Sequence, residues 1–157
     1  MLGKIKRTNA DKHFSNCVRM RAKWKCERCG TDYSGRNKQG IQCSHLIGRG
    51  VSLATRWDPS NALSLCTKCH IDMTAHPILH IQLWREINGT IYGADRSDSA
   101  LNSLLKRSTC QERIDYAKSN EKDIADHYRE QAKELELYAE ATEWQEDRYD
   151  FQGCKYR

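Results

Sequence analysis

The chain has 157 residues, of which 38% are hydrophobic and 30% charged, with a formal net charge of +5. That is one ordinary domain with a thin apolar core, and no apolar run is long enough to cross a bilayer. No cationic and apolar signal segment opens it, so the expectation is a soluble cytoplasmic protein whose 8 cysteines stay reduced and serve a metal rather than disulfides.

Charge is spread unevenly. Residues 1–60 carry 13 Lys/Arg against 4 Asp/Glu, and residues 121–150 carry 4 against 11. The basic half suits a polyanion, because phosphate charge dominates nucleic-acid affinity. Two solvated faces would explain the same pattern.

In chain order, residues 1–10 read as a loose basic arm, and Phe14, Val18 and Trp24 space a helix over Asp11–Trp24. Turn-formers between Cys26 and Gly40 read as a metal knuckle and a loop. Ile41–Leu46 and Ala62–Leu65 are short strand candidates, separated by an expected surface loop over Ile47–Asn61. Pro77 opens a helix expected to stop near Gly89, and a further helix covers Ser97–Arg107. Thr109 with Glu112 has the spacing of a capping box. Beyond it Ile114, Ala117, Ile124, Tyr128, Ala132 and Leu135 keep helical spacing, with a break at Ser119-Asn120. The expected class is α+β: a small zinc-stabilised core followed by a mostly helical half. The division is residues 1–25 as arm and helix, 26–90 as core and 91–157 as helical region.

Cys26-Glu27-Arg28-Cys29 and Cys66-Thr67-Lys68-Cys69 are two Cys-x-x-Cys pairs. This spacing lets two thiolates of one knuckle reach a single ion, and two knuckles complete tetrahedral coordination of a structural Zn²⁺. A redox dithiol or an iron–sulfur cluster would use the same residue type, but nothing here flanks the pairs with a βαβ pattern. Cys17, Cys43, Cys110 and Cys154 lack paired spacing and read as small hydrophobes or incidental thiols.

His45, Asn61 and His70 lie between and beside the knuckles. Cys43-Ser44-His45-Leu46-Ile47, then Thr55-Arg56-Trp57-Asp58-Pro59-Ser60-Asn61, then Leu65-Cys66-x-x-Cys69-His70 resemble HNH (His-Asn-His) nucleases of the ββα-metal class, in the four-cysteine form of endonuclease VII. They are similar in particular to the phage NinG/Rap recombination nucleases, as is Leu83-Trp84-Arg85-Glu86-Ile87-Asn88-Gly89. The resemblance implies a phage-encoded, metal-dependent DNA endonuclease acting on branched intermediates or nicking duplex. Under it His45 is the general base, Asn61 contacts and orients it, and His70 ligates a catalytic Mg²⁺ or Mn²⁺.

Ser44 stands where such nucleases often have Asp or His, so the second ligand of that ion falls to His76, Asp72 or water alone. Arg49 and Arg56 in the loop are expected DNA contacts, and Lys4, Lys6, Arg7, Lys12, Arg19, Arg21, Lys23 and Lys25 are expected to add non-specific DNA-backbone contacts. Each arginine in the loop could equally be solvated, and Trp57 could pack in the core or wedge between bases. His13, His80 and His127 read as structural. Two other functions stay open: a zinc-bearing DNA-binding protein with a decayed site, and an RNA-binding or assembly module built on the helical half. The acidic C-terminal helices could pair in a homodimer through Ile124, Tyr128, Ala132 and Leu135, or pack on their own domain.

Overall fold

The computed structural model describes residues 5–35 and 37–141. Lys4 and Cys154 lie outside them. Helix α1, Asn9–Arg21, starts at Thr8, whose hydroxyl accepts from Asp11 N at 3.3 Å while the Asp11 carboxylate accepts from Thr8 N at 2.9 Å. This reciprocal box begins the helix two residues before the expected start. Its end also precedes Trp24, because Lys23 (φ 53°) and Trp24 (φ 59°) both turn left-handed. Each such residue costs about 1–2 kcal/mol. Trp24 offsets this by packing against both hydrophobic clusters of the molecule.

Strand β1, Ile41–His45, pairs antiparallel with β2, Ala62–Cys66, setting Ile41 opposite Cys66 and His45 opposite Ala62. Leu46 adds one more bond, from its N–H to the Asn61 carbonyl at 2.9 Å, without extending the strand. The segment between the strands is not the expected surface loop. Ser52, Ala54, Thr55, Trp57, Asp58, Pro59 and Asn61 are buried in it. It is held by side chains from elsewhere: Arg107 Nε donates to Asp58 at 2.9 Å and Trp84 Nε1 to the Ser60 carbonyl at 2.6 Å. A loop without periodicity can be internal when other elements supply partners for its backbone.

Helix α2, Thr67–Ala75, follows β2 directly, with the Cys66 sulfur as its cap, accepting from Cys69 N at 3.5 Å. Helix α3 is Pro77–Tyr92, with Pro77 in its first turn. It passes through Gly89, which costs a helix only about 1 kcal/mol, and stops at Gly93, whose φ of 90° no helix accommodates. Helix α4, Ala94–Ser108, packs back on α3. Helices α5, Gln111–Ser119, and α6, Glu121–Ala141, break at Asn120 as the spacing predicts. The expected Thr109–Glu112 box does not form: Cys110 takes the cap position and the Thr109 hydroxyl donates to the Lys106 carbonyl.

The class is α+β, helices around a two-stranded antiparallel sheet. One core joins α1 and α6 across Phe14, Val18, Trp57, Tyr128 and Leu135. The other lies under the sheet around Trp84, Leu65, Met73 and Leu104. A large apolar side chain buried this fully contributes about 1.5–3 kcal/mol. Ile124, Tyr128 and Leu135 are therefore spent on α1 of the same chain, and Ala132 packs beside them. A homodimer through the C-terminal helices would have to use another face. Among the described residues no helix is long and apolar enough to cross a membrane.

Candidate metal centre and histidine cleft

The first knuckle is shaped by its own backbone: Gly30 N donates to the Cys26 carbonyl at 2.8 Å, and Gly30 takes φ +73° to close the turn. It is then zipped to β2, with Glu27 N donating to the Ser64 carbonyl at 2.8 Å and Ser64 N donating to the Glu27 carboxylate at 2.7 Å. That pairing carries Cys26 and Cys29 to Cys66 and Cys69 at the β2–α2 junction. The four sulfurs lie within 4.8 Å of one another, with Cys29 and Cys66 3.9 Å apart. Four sulfurs at 2.3 Å from one tetrahedral ion stand about 3.8 Å apart, so the set fits a metal such as zinc.

The thiols differ in acidity. Hydrogen bonds from Thr31 bring Cys29 down to about 6, whereas burial and the neighbouring sulfurs push Cys69 up to about 12. A divalent cation favours the thiolate at all four.

Beside this cluster lies an open cleft of about 420 Å³, bordered by α1, β1, the inter-strand segment and the start of α2. His45 from the end of β1 and His70 from α2 both line it, with Arg49, Arg7 and Arg19 around them. The His45 Nε2 faces the Arg56 carbonyl at 2.9 Å. A carbonyl only accepts, so Nε2 carries the proton and the lone pair sits on Nδ1. Burial, together with the Arg49 and Arg56 charges, depresses the His45 pKa to about 4, against opposing pulls from the Arg56 carbonyl and Asp11. At neutral pH the ring is therefore uncharged. His70 is also shifted down, by burial and then by Arg49, and its Nδ1 is buried without a hydrogen-bond partner.

The Asn61 side chain makes no hydrogen bond to His45. Its amide donates to the carbonyls of Ile47 and Thr55, each at 2.9 Å, and its oxygen accepts from Ile47 N at 2.8 Å. It clamps the segment whose next carbonyl, that of Arg56, orients the histidine. Three consecutive carbonyls are thus taken by three elements: Thr55 by Asn61, Arg56 by His45, and Trp57 by the Tyr128 hydroxyl of α6 at 2.6 Å. Phe14 of α1 stands between, its ring 5.7 Å from His45 and edge-on to Tyr128 at 5.1 Å.

Several expected site residues lie elsewhere. His76 faces Asp72, with Nδ1 2.9 Å from the Asp72 carbonyl, and does not line the cleft. The cause is its place as the cap between α2 and α3, which turns it outward. Asp72 is taken by Arg28 and His76. Ser44 is buried on the strand face opposite His45. Arg56 is not a free DNA contact, since both Nε and Nη2 donate to Asp11. Arg21 donates to the carbonyls of Pro59 and Ala62 and is likewise internal. Lys23 is half-buried, Lys25 is exposed, and neither lines the cleft.

Trp57 is buried in the core, its indole donating to Asp11 at 3.0 Å. His80 on α3 is 5% exposed, its Nε2 lacks a hydrogen-bond partner, and burial, then the nearby His70, shift its pKa down. Reading the sequence missed Asp11 and Tyr128 as supports of the site. The Thr8-x-x-Asp11 spacing was a visible signal for the first. Nothing local marks the second.

No protein-family model matches the chain, and no curated protein or solved structure is significantly similar to it.

Proposed function

We propose that the chain is a zinc-stabilised, metal-dependent DNA endonuclease of HNH type, with β1, β2 and α2 as its ββα-metal core. The observation that carries this reading is that His45 and His70 line one arginine-bordered cleft next to the four cysteines. Zn²⁺ at those cysteines has a structural role, tying the first knuckle to β2 and α2. His70 is the cleft residue that would hold a catalytic Mg²⁺ or Mn²⁺, with phosphate and water filling the other positions. The bordering arginines fit an ion bound mostly through its substrate. Such an ion supplies charge relief at the scissile phosphate and the leaving oxygen.

The chain's own groups do the rest. Arg49 and Arg7 attract the phosphate oxygens. The lone pair on His45 Nδ1 receives a proton from the attacking water, while Nε2–H stays on the Arg56 carbonyl. A base of pKa about 4 is weak, chiefly because the ring is buried, and a phosphate bound at Arg49 offsets only the smaller part of the shift that the Arg49 charge causes. Branched DNA is the first substrate to compare with linear duplex, since no element among the described residues has the form of a base-reading helix.

Supercoiled plasmid incubated with Mg²⁺, Mn²⁺ or EDTA tests this. Wild type nicks it with metal, and His45→Ala loses at least about a hundredfold. Equal residual supercoiled DNA for both proteins in every metal would favour the second reading, a DNA-binding protein with a decayed site. That reading draws on the cleft having one unengaged histidine, His70, and no free carboxylate as ion ligands.

A further inference from the structure

Asp11 lies in α1, outside the three motif segments, yet it is the most heavily solicited carboxylate near the cleft. It is 3% exposed and accepts from Thr8 N at 2.9 Å, Arg56 Nε at 2.9 Å, Arg56 Nη2 at 2.5 Å and Trp57 Nε1 at 3.0 Å. Arg49 Nη1 is a further 3.8 Å away. Burial raises the acid's pKa, but the Arg56 and Thr8 hydrogen bonds and the Arg56 charge outweigh it, so the group is held below its ordinary value. With both oxygens occupied, Asp11 is in no position to ligate an ion in the cleft it borders.

Burial by itself requires that a carboxylate be paired, but not that its partner be the residue whose carbonyl holds His45. The bidentate pair fixes the Arg56 guanidinium, and a residue anchored at its side chain has little freedom to rotate its peptide. The carbonyl of that same residue is the sole hydrogen-bond partner of the His45 ring among the described residues. We propose that Asp11 is a positioning residue for His45: through Arg56 it holds the carbonyl that keeps the proton on Nε2 and the lone pair of Nδ1 in the cleft. The chain of contacts runs from a helix α1 carboxylate, through a guanidinium and one peptide, to the imidazole. It gives helix α1 a positioning role at the cleft beyond its place in the core. The assignment rests on the proposed nuclease reading for its kinetic consequence but not for its structural one.

Two measurements on the full-length, zinc-loaded protein test it. The first is the ¹⁵N shift pattern of the His45 ring, which reports the tautomer whether or not the protein cleaves DNA. Wild type is expected to show Nε2–H alone. Asp11→Asn, which sets an amide N–H₂ against donors, is expected to give a mixture of tautomers, and so is Arg56→Lys, which keeps the charge but loses the bidentate grip.

The second is plasmid nicking in Mn²⁺, where both variants lose about tenfold or more in kcat with KM within about twofold. Arg21→Ala removes donors to the Pro59 and Ala62 carbonyls and leaves Asp11 and Arg56 untouched. It is expected to lower stability while preserving the wild-type tautomer and kcat. An Nε2–H signal unchanged in both Asp11→Asn and Arg56→Lys overturns the proposal, as does Arg21→Ala shifting the tautomer as far as they do. If Asp11→Asn does not fold, Arg56→Lys decides alone. If wild type does not nick DNA under any condition, the nuclease reading falls while the tautomer still decides the role of Asp11.

Discussion

Tyr128→Phe isolates how the C-terminal helix supports the cleft. Tyr128 is fully buried, and its hydroxyl donates to the Trp57 carbonyl at 2.6 Å, 71 residues away in sequence. The substitution keeps the ring, and with it the edge-on contact to Phe14, so no large cavity opens. What is lost is one buried hydrogen bond, worth about 1 kcal/mol net, plus the cost of leaving a buried carbonyl short of a donor, about 1–3 kcal/mol. The expected loss is about 2 kcal/mol, or a fall in Tm of about 4–8 °C for a chain of this size. Tyr128→Ala, which removes the ring as well, should cost about 3–5 kcal/mol.

Urea denaturation of zinc-loaded protein at constant slope measures both. Because Trp57 follows Arg56 directly, Tyr128→Phe should also loosen the peptide on which His45 rests, so nicking falls more than the loss of folded protein explains. A Tyr128→Phe protein as stable as wild type would refute the reasoning, since α6 would then act on the cleft through its buried side chains alone and not through this hydrogen bond.

Other expectations follow from the same geometry. Elemental analysis should find one zinc per chain, and a strong chelator should remove cooperative unfolding, since structural zinc sites contribute on the order of 10 kcal/mol; a chain folded equally well without metal contradicts this. The His45 pKa of about 4 lies below its ordinary 6.5, so the unfolded chain binds more protons between those values. Stability from the neutral ring is complete above pH 6.5 and declines by about 3 kcal/mol as pH falls to 4. His45→Asn should flatten that part of the urea-midpoint curve relative to wild type. Arg49→Ala should weaken DNA binding and reduce its salt slope by about one, whereas Arg21→Ala should lower stability and leave the slope unchanged. Equal salt slopes for Arg49→Ala and wild type would remove Arg49 from the interface.

Much of the site could be read before any coordinates. The two Cys-x-x-Cys pairs act at short range, and spacing alone makes each pair a chelating unit. His45 and His70 could be found because one precedes the inter-strand segment and the other follows the second knuckle directly. Both stay close in sequence to the strands and knuckle that carry the four cysteines. His76 was misplaced because a residue six positions along a helix shares its face poorly, and the helix ends before reaching it. Arg56 and Arg21 read as DNA contacts because a charge in sequence carries no mark of its partner. Asp11 and the carbonyls of Pro59 and Ala62 had already claimed them.

By itself the amino-acid order determined the knuckles, the short strands beside them, the helical second half and the break at Asn120, all of which depend on neighbours within a few residues. Only the tertiary structure decided that α6 lies against α1, that the inter-strand segment is internal, and that Asn61 clamps a loop instead of a histidine. Those features join positions tens of residues apart through single hydrogen bonds and buried rings. Local periodicity carries no record of such pairings, because the energy that selects them exists only once the chain has closed on itself.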